Sequence, residues 1–167
     1  MENKYFKKKS VFVSIMVLGL LGFVQSVFAV DVLKNVALKN DIYFKAICKV
    51  QLVYSDKSNR KYIQLSQDNK LTTSIRLPIP DDEVKNFSVD KIEETNTGFK
   101  LNVSWGDMYY YYNREFYFCF INKKFYLSEI KVRDKIYDPQ KTINKVQKLN
   151  KPVPIEKFNI FQYTDKQ

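Results

Sequence analysis

Histidine is absent from this 167-residue chain. With it go the usual general base, the Ser-His and Cys-His nucleophile pairs, and the commonest ligand for zinc or copper. The carboxylates remain. Asp81, Asp82, Glu83, Glu93 and Glu94 have the chemistry of an acid and base pair such as glycoside hydrolysis uses. Adjacent acids are ordinarily solvated loop residues, however, and nothing in this spacing predicts the desolvation that moves a pKa. The same acids lack the alternating ligands and glycine of a calcium loop, and a total of four glycines leaves no phosphate-cradling loop. No cofactor and no metal site is expected. The chain reads as noncatalytic, with an acid- or lysine-dependent hydrolase as the most distant alternative.

Cys48 and Cys119 are the two cysteines. Lacking CxxC spacing, they make no structural zinc site. In an oxidising compartment an even pair in one small domain favours a disulfide over two buried free thiols. Closing so long a loop would restrain the unfolded chain by roughly 4 kcal/mol.

Rings crowd one stretch of sequence: Tyr109 to Tyr112, then Phe116, Tyr117, Phe118 and Phe120, then Phe125 and Tyr126. Aromatics fall at both odd and even positions, which suits a central strand with core on one side and a helix or partner on the other. The alternatives are a tyrosine-rich core strand and a binding face. Whichever side buries Tyr110 and Tyr112, Tyr109 and Tyr111 line the opposite one. With Trp105 or Arg114 nearby they would form a recognition surface of large rigid area with polar tips. A second surface is basic. Lys141, Lys145 and Lys148 recur at i, i+4 and i+7, one face of a helix opposite Ile143 and Val146, and would complement an acidic protein or an anionic envelope polymer.

The elements that must carry these residues are mostly strands. Ile42 to Tyr54 alternates with period two and reads as one strand. Lys61 to Leu65 and Leu71 to Leu77 follow as a meander, and Pro78 and Pro80 then interrupt the sheet. Phe87 to Ile92 precedes the clearest amphipathic strand, Gly98 to Trp105. Gly106-Asp107 has the composition of a two-residue hairpin loop that would pair Met108 with Trp105. Asn113-Arg114-Glu115 is a turn or a bulge, and Asn122-Lys123-Lys124 a second tight turn before Phe125 to Val132. Asp138-Pro139 supplies an N-cap and first-position proline for a helix over about 139–149, where Ile143, Val146 and Leu149 recur every three residues. The fold class is therefore mostly β, all-β to α+β: an antiparallel meander of about seven or eight strands, closed as a small barrel or packed as a sandwich, with that one C-terminal helix.

The start of the chain reads as an export signal. Lys4, Lys7, Lys8 and Lys9 precede an apolar run from Val11 to Val24, and Val27-Phe28-Ala29 places compact residues before a cut after Ala29. The run is shorter than the roughly 20 apolar residues of a membrane anchor. Cleavage leaves 30–167 as a single exported domain, basic like the whole chain at net +10, in a bacterial periplasm or medium. The expected function is a noncatalytic module that binds another exported or envelope protein, of the inhibitor or toxin-neutralising, immunity-like type. The alternative is a binder of cell-wall glycan, and the exported setting argues against nucleic acid.

Overall fold

This computed structural model describes residues 42–45 and 48–164 and the backbone of 33–35. The expected signal segment 1–29, with its cut after Ala29, lies outside the described residues. Ten strands follow one another: β1 (Leu33–Asn35), β2 (Ile42–Phe44), β3 (Cys48–Ser55), β4 (Arg60–Gln67), β5 (Lys70–Arg76), β6 (Ser88–Thr95), β7 (Gly98–Gly106), β8 (Tyr110–Ile121), β9 (Lys124–Tyr137) and β10 (Gln140–Pro154). They form two antiparallel sheets. In the first, β3, β4 and β5 pair in sequence order while β1 and β2 share the other edge of β3; the second runs β10-β9-β8-β7-β6. The sheets share no ladder, so the architecture is a sandwich and not a barrel.

Alternation decides which side chains meet between the sheets. The first sheet contributes the cross-strand row Leu52, Ile63 and Ile75, and the second the row Leu101, Phe116 and Ile130, all buried. Fully burying each such side chain contributes about 1.5–3 kcal/mol. After β10 a 3-10 turn (Ile155–Lys157) and the single helix turn α1 (Phe161–Thr164) bring Ile155, Phe158 and Ile160 into this core. Phe158 packs edge-on to Phe116 and Phe118, with ring centres 5.1 and 5.2 Å away.

Two-residue loops hold the meanders in register. Asp68-Asn69 and Asn122-Lys123 have both residues at positive φ, the conformation of the primed turns whose twist matches that of paired strands. Asn113-Arg114-Glu115 is neither turn nor bulge but the continuous middle of β8.

Three further expectations are corrected. Residues 139–149 are not a helix: Asp138-Pro139 is the loop of a hairpin, and Gln140 onward pairs with β9 through Lys148. The three-residue recurrence of Ile143 and Val146 is incidental, since on a strand they face opposite sides. No acid in this segment is available to make the i,i+4 pairs that would support a lysine-rich helix. Ile42 to Tyr54 is two strands, with Lys45 at φ 50° in the connection. Phe44 lies opposite Cys48, so the hairpin preserves the even-residue pattern and is indistinguishable from one strand by period alone. Finally, Cys48 and Cys119 are free thiols. Cys48 points into the core with Val50 and Leu52, whereas Cys119 lies between the core-facing Phe118 and Phe120 and so faces the outer side of the second sheet, where it donates to the Tyr126 carbonyl at 3.4 Å. Sulfur atoms on opposite sides of a sheet cannot be bridged without backbone movement.

Candidate functional site

The β7–β8 connection is built to push two apolar side chains outward. Asp107 Oδ1 accepts the amides of Tyr109 and Tyr110 at 2.8 and 3.0 Å, and the Asp107 amide donates to the Tyr110 carbonyl at 2.7 Å. Gly106 precedes it at φ 130°, where a Cβ would stand 2.0 Å from the Tyr110 oxygen. Met108 and Tyr109 therefore form the tip, 76% and 55% exposed. Trp105 lies opposite Tyr112, not Met108, because the loop takes in Met108-Tyr109 and leaves Gly106 on the strand. The Tyr137 amide donates to the Tyr109 carbonyl at 3.0 Å, which brings a second tyrosine, 53% exposed, to the same end. The Asn86 side-chain amide and the Lys85 carbonyl hold Gly106 from the other side at 2.7 and 2.9 Å. The result is a set of exposed large side chains at one end of the sheet, on a turn held by its own hydrogen bonds.

Behind the tip, on the core-facing side, rings stack in a ladder. Trp105 and Tyr112 are 5.5 Å apart at 22°, and Tyr112 and Tyr110 are 6.3 Å apart at 4°. The Arg114 guanidinium lies 5.0 Å from the Trp105 ring centre and bonds Asp134, with Nη2 3.3 Å from the second carboxylate oxygen. Burial, and next the Asp134 charge, push the Tyr112 phenol above the ordinary tyrosine range. A cleft of about 210 Å³ separates the ladder from the Glu83–Lys85 loop.

The opposite face of the same sheet is polar. Asp90 is taken by Ser104 at 2.8 Å and Asn113 at 3.4 Å, and Glu115 by the Tyr117 hydroxyl at 2.7 Å. Tyr117 in turn carries the Lys131 ammonium 4.6 Å from its ring centre. Arg133 and Lys135, two residues apart on β9, have no acidic partner among the described residues. They line an open trough of about 530 Å³ between β8 and β10. The acids of this face are thus committed, and its uncommitted charge is positive.

The residues expected to bind are distributed rather than gathered. Tyr109 is at the tip, and Tyr111 is half-buried on the polar face beside Lys135. Trp105 and Arg114 are buried under the ladder on the other side. Lys141 and Lys145 point to the core-facing side of β10 and Lys148 to the polar side, so the three share no face; all three are exposed. The acids do not converge. Glu83 accepts Arg60 at 2.6 and 2.9 Å, Arg76 at 2.6 Å and the Ile79 amide at 2.9 Å. The Arg60 bonds, ahead of its other partners, hold the Glu83 carboxyl down at about 2. Glu93 lies between Lys91 and Lys100 at 2.5 and 2.7 Å. No metal-binding group of His, Cys, Asp and Glu occurs among the described residues. Sequence reasoning missed Met108, Tyr137, Arg133 and Lys135. The first two were hidden by the misplaced loop and the expected helix, while the last two become a row only once β9 is known to run unbroken to Tyr137. No known protein family, no curated protein and no solved structure matches this chain.

Proposed function

We propose that this chain is a noncatalytic, exported module that binds another exported or envelope protein through the end of the second sheet, as an inhibitor or toxin-neutralising protein does. The observation that carries the reading is the exposure of Met108 and Tyr109 on a hydrogen-bonded turn, and of Tyr137 at the end of β9, whose amide bonds the Tyr109 carbonyl. Methionine and tyrosine supply contact area, and a rigid backbone lowers the ordering cost of association. Lys135 and Lys141, at register positions beside Tyr111 and Ile136, give this end a basic rim suited to an acidic protein. The glycan alternative draws less support: the rings of Trp105, Tyr112 and Tyr110 cover one another's faces, leaving few of the open ring faces on which a sugar stacks. The absence of histidine from the sequence and the pairing of Glu83 and Glu93 with basic groups favour binding over hydrolysis.

The test is photo-crosslinking in the host. Benzoylphenylalanine replaces Tyr109 or Tyr137 at the tip, and Leu71 on β5, 59% exposed, as the control. The reading expects the same protein adduct from both tip positions and none from Leu71. No adduct from the tip, or one shared equally by all three positions, would overturn it.

A further inference from the structure

We infer that β10 is a docking edge which takes an extended acidic segment of the partner protein as an added strand. β10 lies at the end of its sheet, with β9 as its one neighbour among the described residues, and every residue from Gln140 to Lys148 is exposed. The direction of its backbone groups follows from the ladder. The Tyr137 amide points to the β8 side, at Tyr109, so by alternation Ile136, Asp134 and Val132 point to β10 and bond Lys141, Ile143 and Lys145 across from them. Thr142, Asn144 and Val146 then turn their amides and carbonyls outward, an unpaired row of the kind that strand addition uses. The row ends where the register shifts between Lys148 and Val153, in a segment holding Pro152.

Charge selects the occupant. From Gln140 to Pro154 there is no Asp or Glu, while Lys141, Lys145, Lys148 and Lys151 are all present, and Arg133 and Lys135 on the next strand have no acidic partner among the described residues. A second copy fits poorly: with no Asp or Glu on either edge, every register brings lysines together without a counter-charge, and antiparallel pairing centred on Ile143 sets Lys141 opposite Lys145, where like charges are unfavourable. A strand carrying Glu or Asp on alternate positions sets its acids on one face, and would there meet Lys141 and Lys145 on the core-facing side or, shifted by one residue, Lys148 with Arg133 and Lys135 on the polar side. This inference rests on the protein-binding reading and specifies how the partner docks.

The experiment uses the purified protein and a capped nonapeptide alternating glutamate and valine, with a lysine–valine peptide as its counterpart, and follows amide hydrogen exchange by NMR. The acidic peptide is expected to slow exchange at Thr142, Asn144 and Val146 by about tenfold or more while leaving Ile143 and Lys145 unchanged. Protection should vanish with a peptide methylated on alternate amides and with Asn144→Pro. That substitution removes an outward donor and is tolerated at an edge whose N–H side faces solvent; unchanged exchange at Ile143 and Lys145 verifies that the β9 ladder survives. Absent binding, binding without protection of the three amides, or equal protection by the lysine peptide overturns the inference. A tip crosslink that forms in the host and persists in Asn144→Pro removes the docking edge while leaving the protein-binding reading intact. Loss of the tip crosslink in the unsubstituted protein removes both.

Discussion

Arg114 lies over Trp105, 5.0 Å from the indole ring centre, while the same guanidinium bonds Asp134 on the next strand. The contact joins β7, β8 and β9 where they run out beyond the apolar core. Both charged side chains are nearly buried, at 11% and 14% exposed, so their worth is mutual. Removing one partner strands a charge, whereas removing both does not. Asp134→Ala is expected to lower stability by about 3 kcal/mol, and Arg114→Leu combined with Asp134→Leu to return to within about 1 kcal/mol of the parent. Urea unfolding midpoints at constant slope measure this, and a double variant no better than the single would refute the pairing argument.

Gly106 is expected to tolerate no side chain. At φ 130° with the Tyr110 oxygen 2.0 Å from a built Cβ, Gly106→Ala should cost about 2 kcal/mol or more and disorder the Met108–Tyr109 tip. Lys123, at φ 63° in the β8–β9 loop, gives the opposite sign: Lys123→Gly should gain about 0.5–1 kcal/mol, because it relieves a left-handed residue. Thermal melts of the two variants check both directions.

Glu83 makes stability depend on acid. Its carboxyl titrates at about 2 when folded, against an ordinary value of 4.5. The Arg60–Glu83–Arg76 cluster therefore contributes fully above pH 4.5, and its contribution is lost as pH falls from there toward 2. Glu83→Gln should cost about 1–2 kcal/mol at neutral pH, allowing for the solvent that reaches this loop, and should flatten the acid limb of the stability profile. Unfolding free energies measured from pH 7 to pH 2 decide it. An acid limb unchanged in the variant would mean that other carboxylates control it.

Free thiols make stability indifferent to reductant. Burial, and then Asp68, push the Cys48 thiol above its ordinary range, so it stays protonated and unreactive in the folded protein. Maleimide labelling should modify at most Cys119 in the native protein and both cysteines in urea, and dithiothreitol should leave the melting curve in place. A melting temperature lowered by reductant would restore the disulfide.

The β character of the chain was legible because one-sided burial writes itself as alternation, most clearly at Phe99, Leu101, Val103 and Trp105. The failures have a shared origin in parity. The Phe44–Cys48 connection keeps the even residues on one face, and so hides a turn. A spacing of three at Ile143 and Val146 looks helical until β9 is seen to offer a hydrogen-bonding partner. Cys48 and Cys119 both sit on strands, yet only the assembled sheets reveal that one looks inward and the other out. Of the candidate binding residues, Tyr109 was legible from the aromatic run. Arg133 and Lys135 were not, since their significance lies in Asp90 and Glu115 being occupied by Ser104, Asn113 and Tyr117, a matter of contacts rather than composition.

In the second sheet every strand pairs with its immediate successor. Its growth therefore requires only short loops to close, and the entropy of gathering distant segments is deferred. The long-range contacts include those of the C-terminal segment, whose Phe158 seats against Phe116 and Phe118 of β8. The end of the chain is in this sense a clasp: the Ile155–Lys157 turn lies against β5 of one sheet and β9 of the other, and Phe158 follows it onto Phe116 and Phe118.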